Sequence, residues 1–268
     1  MPASIEYSGG SDPDRILPML WRNVAPASAA GPSVHAPQLS VDDVVTASIE
    51  VADSHGLGAV SLSGVAAAVG VDVTTLYTCV PSTADLLDLM VDQVLGERAL
   101  PAPGEPRPDG WRAQLEDYTQ RTRAMYRRHP WLRHVSMVRP PIGPGMLAGS
   151  EYVLSALAST DMTPHQLADA ANAIIAFVNK VAAAEADSEQ LEQSSGQTND
   201  EWWGERSPLW ERYFDANRYP TMTFVYISGG FGDSALEATP GAHDFGMRRL
   251  LDGIEAMVQR DGHGPAAG

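Results

Sequence analysis

From Val41 onward the apolar residues recur at helical spacing, broken by short polar or glycine interruptions. Val44, Val45, Ser48, Ile49 and Ala52 share one face of a helix that Ser40 caps and Gly56 ends. A second, shorter helix opens at Ser61, carries Leu62, Val65, Ala66 and Val69, and stops at Gly70. A third spans Val73 to Val80 with Leu76 and Tyr77 facing inward. After Pro81-Ser82 a longer one carries Leu86, Leu87, Met90, Val91 and Val94. Helix, short helix, glycine turn, helix is the order of a helix-turn-helix unit.

Four prolines between Ala99 and Asp109 predict a boundary after this unit. Beyond it Trp111, Leu115, Tyr118, Thr122 and Met125 mark one face of a helix ending near His129-Pro130. Further helices are expected over Trp131–Val138, Met146–Ser159, Pro164 to about Gln190, Asp200–Phe214, Tyr219–Ile227 and Asp244–Gln259, with a loop over Gly229–Gly241. No stretch alternates with period two, so the predicted class is all-α. The expected organisation is a mobile N-terminal segment and linker (1–39), the helix-turn-helix unit (40–98), a linker (99–109) and a C-terminal helical domain (110–268). Within the first, polar Ser4–Asp14 and Pro/Ala/Ser/Gly-rich Ala25–Gln38 flank an apolar patch, Ile16–Trp21.

Charge changes this picture. The chain has 268 residues, a formal net charge of −16 and a pI of about 4.7. Asn23 to Glu97 contains no Lys or Arg, whereas Asp42, Asp43, Glu50, Asp53, Asp72, Asp85, Asp88, Asp92 and Glu97 are acidic. Most of a protein's affinity for a duplex comes from Lys and Arg neutralising phosphates, so DNA is the unexpected partner for such a head. No apolar run approaches the roughly 20 residues that span a bilayer and no signal sequence opens the chain, which predicts a cytoplasmic protein without a membrane partner. The single cysteine, Cys79, excludes an internal disulfide, and the seven histidines lack metal-ligand spacing.

Ala47, Ala52, Asp53, Gly56, Ser61, Leu62, Val65, Ala66, Gly70, Val71, Leu76, Tyr77, Val80, Leu86, Leu87 and Met90 together resemble the TetR family of bacterial transcriptional regulators. Asp12-Pro13-Asp14-Arg15, Leu20-Trp21-Arg22, Arg128-His129-Pro130-Trp131, Gly143-Pro144 and Tyr219-Pro220 extend the likeness to an actinobacterial-type branch. The resemblance implies an Ω-shaped homodimer with a helix-turn-helix head and a C-terminal helical domain that encloses a ligand and supplies the dimer interface. The departures lie at Ser63, Gly64, Ala67, Ala68, Thr78 and Thr83, where such regulators carry basic or hydrogen-bonding residues. Thr74, Thr75, Tyr77 and Thr78 remain able to donate hydrogen bonds to phosphates.

The C-terminal half is rich in aromatic and methionine side chains, suited to a hydrophobic, polyketide-like small molecule. Candidate ligand contacts are Tyr118, Tyr126, Trp131, Arg139, Tyr152, Asn172 and Asn179. Lys180, the only lysine, lies among apolar neighbours where desolvation lowers an amine's pKa, and His134 titrates near neutrality; both are candidate acid/base catalysts. No phosphate loop, HExxH, CxxC or nucleophile elbow occurs, so no cofactor is expected. The leading expectation is therefore a TetR-like protein that has lost DNA binding and carries or transforms its guest as a cofactor-independent cyclase or isomerase of secondary metabolism. The alternatives are a ligand-responsive repressor and a pseudo-regulator that heterodimerises with a true one.

Overall fold

Serine, threonine and aspartate caps set most of the helix starts. The computed structural model describes residues 5–24, 39–230 and 240–261. In the head, α2 (Val41–His55) begins at Ser40, whose side chain accepts the Asp43 N–H while Asp43 accepts the Ser40 N–H. Ser61, Asp72 and Ser82 likewise cap α3 (Leu62–Val69), α4 (Val73–Cys79) and α5 (Thr83–Gly96). Each such cap stabilises its helix by about 1 kcal/mol. The turn between α3 and α4 needs a left-handed residue, and Gly70 supplies it at φ 73°. Val44, Val45, Val65, Leu76, Val80 and Leu86 close the head's core and are fully buried.

The C-terminal part runs α6 (Trp111–Arg128), a 3-10 turn (Pro130–His134), α7 (Pro144–Leu157), α8 (Pro164–Ser195), α9 (Asn199–Glu205), α10 (Pro208–Arg212), α11 (Pro220–Ile227) and α12 (Pro240–Asp261). Helices α6, α7 and α8 pack on one another, and α12 packs on α8. Their shared core is built on Leu115, Tyr118, Tyr152, Val153, Ile174, Val178 and Leu251. Helix α8 is the one described helix long and apolar enough to cross a membrane, and a third of that window is buried in this bundle.

The N-terminal segment departs from expectation, because residues 5–24 are docked rather than loose. Strand β1 (Glu6–Tyr7) pairs in parallel with β2 (Val135–Ser136), and α1 (Pro13–Leu20) packs on α5 with Ile16 and Leu20 buried. Ser8 Oγ donates to Ser136 O at 2.9 Å, and Trp21 Nε1 donates to Ile142 O at 2.9 Å. This pairing also explains why the helix expected over Trp131–Val138 stops at His134: the backbone of Val135 and Ser136 is committed to the arm. The predicted linker Ala25–Gln38 and most of the loop Gly229–Gly241 lie outside the described residues.

Candidate functional site

Two regions carry the candidate chemistry, the outer face of the head and the interior of the C-terminal helices. In the head, three of the nine acidic residues are buried and all the exposed ones but Glu50 are held by hydrogen bonds or ion pairs. Asp43 and Asp72 serve the α2 and α4 caps, and Thr74 holds the Asp72 carboxyl below its ordinary range. Asp42 receives the Arg22 guanidinium. Asp85, Asp88 and Asp92 follow one another along the buried face of α5. Asp85 binds Arg15 through two N–H···O contacts of 3.0 and 3.1 Å. Asp88 accepts the Gly9 N–H at 2.7 Å, and Asp92 accepts the N–H groups of Gly145 and Met146 where α7 begins. Burial pushes the Asp92 carboxyl up despite those amides.

The remaining acids tie head to core. His129, at the end of α6 and buried, places Nδ1 2.9 Å from Asp53 Oδ1 and Nε2 2.9 Å from Glu97 Oε2. Trp131 Nε1 donates to the same Asp53 oxygen at 2.8 Å. Eight of the nine acidic residues between Val41 and Glu97 thus have named partners, Glu50 being the ninth, although Asp42, Asp43, Asp53, Asp72 and Glu97 remain exposed. Apart from the exposed cap Asp72, what α3 and α4 present to solvent is neutral and small. Ser63, Gly64, Ala67, Ala68, Thr74, Tyr77 and Thr78 are exposed, Thr75 is half-buried, and Thr78 Oγ1 is turned back onto the Thr75 carbonyl at 2.6 Å.

Inside the C-terminal part, a chamber of about 100 Å³ is lined by Leu95, Arg98, Tyr118, Met137, Pro140, Met146, Gly149, Ser150, Ile175 and Asn179. Arg98 also walls an outer cleft of about 270 Å³ shared with Glu97, Arg121, Ala124, Met125 and Arg128. A larger groove of about 500 Å³ lies between α6, α8 and α12, beside Asp117, Arg123, Phe177, His243 and Met247. The chamber combines apolar walls with few polar groups, as small-molecule sites do, but its volume is below the roughly 300–1,000 Å³ usual for them, so a guest of that size requires it to widen.

Of the residues expected to hold a ligand, Tyr118 and Asn179 line the chamber. Tyr126 is buried beside them, where burial and Tyr118 push its phenol up to about 12. Tyr152 stacks on Tyr118 at 6.5 Å but turns its hydroxyl to Asp117, and burial with that carboxylate also raises it to about 12. Trp131 is spent on the Asp53 junction. Arg139 and Asn172 are exposed and away from the chamber wall. The two expected catalysts are not brought together. Lys180 is exposed on the outer face of α8, because at that point of the turn its apolar sequence neighbours face the core and it does not. His134 is half-buried in the 3-10 turn, its pKa lowered by desolvation and then by Arg133, and it lines none of the three cavities described above. Arg98 was not foreseen as a site residue.

Comparison with known proteins places this geometry. Residues 100–258 match the family described as tetracyclin repressor-like, C-terminal domain. The chain is 36% identical over 264 residues to the HTH-type transcriptional repressor DrrR1 of Streptomyces coeruleorubidus, covering 97% of this chain and 92% of that protein. It also resembles the apo crystal structure of ActR from Streptomyces coelicolor, with 25% identity and a TM-score of 0.66 over 85% of this chain and all of that one. ActR in complex with (S)-DNPA matches at 26% identity and a TM-score of 0.63, over 82% of this chain and 99% of that one. These likenesses overturn the expectation of a DNA-free cyclase or isomerase: a relative that matches head and core alike is a named repressor. The expectation that DNA is an unlikely partner, drawn mainly from the missing Lys and Arg, is not supported either, since that relative is a named repressor.

Proposed function

This chain belongs to the TetR family, and from that premise we propose that it is a ligand-responsive transcriptional repressor. The observation that carries the proposal is the full-length relation to a repressor, with the head's caps, Gly70 turn and buried core all in place. Family members bind small molecules and dimerise. In this reading the C-terminal chamber takes a hydrophobic, polyketide-like effector, a reading supported by the ActR complex with (S)-DNPA. The dimer forms through the outward faces of α8 and α12, where Ala168, Ala173, Ala176, Lys180 and Ala184, with Phe245 opposite, stand exposed in the isolated protomer.

A head without Lys or Arg from Asn23 to Glu97 binds its operator differently from a basic one. Hydroxyls of Ser63 and Tyr77 and backbone amides position the head on phosphates, and few counterions are released. Fluorescence anisotropy against the DNA upstream of its own gene tests this. The expected result is saturable binding at low salt whose logarithm falls with log salt less steeply than the slope of about −0.9 per neutralised phosphate found for basic heads making six to ten contacts. Absence of saturable binding at low salt overturns the repressor.

A further inference from the structure

Resting on the reading of the C-terminal chamber as the effector site, we infer that the effector enters it as an anion, with a carboxylate seated on Arg98. Arg98 is 5% exposed, and among the described residues no carboxylate lies within ion-pairing distance of it. Its partners are neutral: Nε donates to Leu95 O at 2.9 Å, Nη1 to the Tyr118 hydroxyl at 3.1 Å and Nη2 to Gly145 O at 3.3 Å. A guanidinium carries five N–H donors, so two of Arg98 remain, one on each terminal nitrogen. That is the fork that grips a carboxylate. Asp92 feels the charge of Arg98 at longer range, but the oxygens of Asp92 are taken by the amides that open α7. A buried cation left with neutral partners is costly unless something else supplies the charge.

The surroundings are built to keep it there. Gly149, inside α7, makes room for the guanidinium: a Cβ at that position would lie 2.3 Å from Arg98 Nη2. Ala99, the next residue, has φ 46°, a left-handed conformation that a non-glycine adopts only when its neighbours enforce it. Arg121 does so by donating to the carbonyls of both Arg98 and Ala99. On the chamber's far wall Asn179 Oδ1 is buried and has no hydrogen-bond partner, so it awaits a donor from the guest. The outer cleft that shares Arg98 is also lined by Arg121, which pairs with Asp117, and by Arg128, which pairs with Glu97, so neither draws on the charge of Arg98. Desolvation inside strengthens the attraction between a carboxylate and this fork.

The experiment compares 2-naphthoate with its methyl ester and its amide, by calorimetric titration of the full-length protein at pH 7. The acid is expected to bind at least tenfold tighter than either neutral probe. Arg98→Met removes that preference, and Arg98→Lys, which keeps the charge and loses the fork, retains only part of it. Equal affinity for acid, ester and amide in the wild-type protein overturns the proposal without recourse to any variant. So does a folded Arg98→Met protein that still prefers the acid. Operator binding is read on the same samples without probe, which separates the two claims. An acid preference without DNA binding refutes the repressor alone, and DNA binding without an acid preference refutes only the anionic effector.

Discussion

The crossing of α5 and α7 joins head to core, and its closeness depends on one glycine. A Cβ at Gly145 would lie 2.0 Å from the Asp92 carbonyl oxygen and 2.7 Å from the Gly96 nitrogen, both backbone atoms with no rotamer to yield. Ordinary contact begins at 3.4 Å, so Gly145→Ala must force the helices apart by about 1.4 Å. That movement breaks the Gly145 and Met146 amide bonds to Asp92 and the Arg98 bond to Gly145 O. Hydrogen bonds to charged groups contribute about 1.5–3 kcal/mol each, and alanine returns up to about 1 kcal/mol of helix propensity. The expected net loss is at least about 3.5 kcal/mol. Gly96→Ala is the matched control on the facing helix, because its Cβ would meet only the Gly145 Cα at 3.7 Å. It should stay within about 1 kcal/mol of wild type. Urea unfolding at equal protomer concentration measures both, since dimer stability depends on concentration. A Gly145→Ala protein within about 1 kcal/mol of wild type, or one no worse than Gly96→Ala, would refute the claim that backbone contact sets this crossing.

Three further outcomes follow from the ties already described. Burial raises the Asp85 carboxyl, but Arg15 and Ser82 outweigh it and hold the group below its ordinary value of 3.8. Its contribution is therefore complete above about pH 4 and is lost as pH falls through the depressed value, so Asp85→Asn should flatten the acid limb of a stability profile; an unchanged limb counts against the arm tie. Tyr126 and Tyr152, both held up to about 12, should ionise late in an alkaline absorbance titration of the folded protein. Stability they confer is present below about pH 10 and disappears as pH rises through about 12, and a single phenolic transition near 10 in the native state would contradict their burial. His129→Ala strands two partly exposed carboxylates and opens a cavity beside Trp131, with an expected loss of about 2–4 kcal/mol in urea unfolding; a loss below about 0.5 kcal/mol would show that the junction is solvated instead.

Much of the fold was legible because helix signals are local. Ser40, Ser61 and Ser82 cap where the sequence places them, and Gly70 turns where a left-handed residue was needed. The arm was not legible, since β1 and β2 are two residues each and the Ser8 bond beside them reaches across 128 positions, far beyond any pattern a window detects. The site was legible in part. Tyr118 fell on the buried stripe of α6 and does line the chamber, whereas Lys180 sits one residue off a buried position and so faces outward. Arg98 left a signal that went unused. It follows Val91, Val94 and Leu95 at intervals of seven, four and three, which sets a cation on an otherwise apolar helical face.

The acidic head shows why charge cannot be summed before it is placed. Ser40-x-x-Asp43 and Ser82-x-x-Asp85 are capping patterns, so those carboxylates are engaged within the first turn of each helix. Asp85, Asp88 and Asp92, at intervals of three and four within an apolar helix, share one face, and a face that also carries Leu89 and Val91 beside it is buried. Buried carboxylates require partners, and here the partners are the arm, an arginine and the first amides of α7. The three buried carboxylates contribute little field at the outer surface of α3 and α4, where exposed hydroxyls, alanines and one tyrosine stand beside the exposed cap Asp72. The missing Lys and Arg remove the usual gain from counterion release, and the six exposed acids add repulsion that the three buried ones do not. What distinguishes this head from a basic one is therefore the loss of attraction together with less surface acid than nine carboxylates would give, and the salt slope of operator binding measures that difference directly.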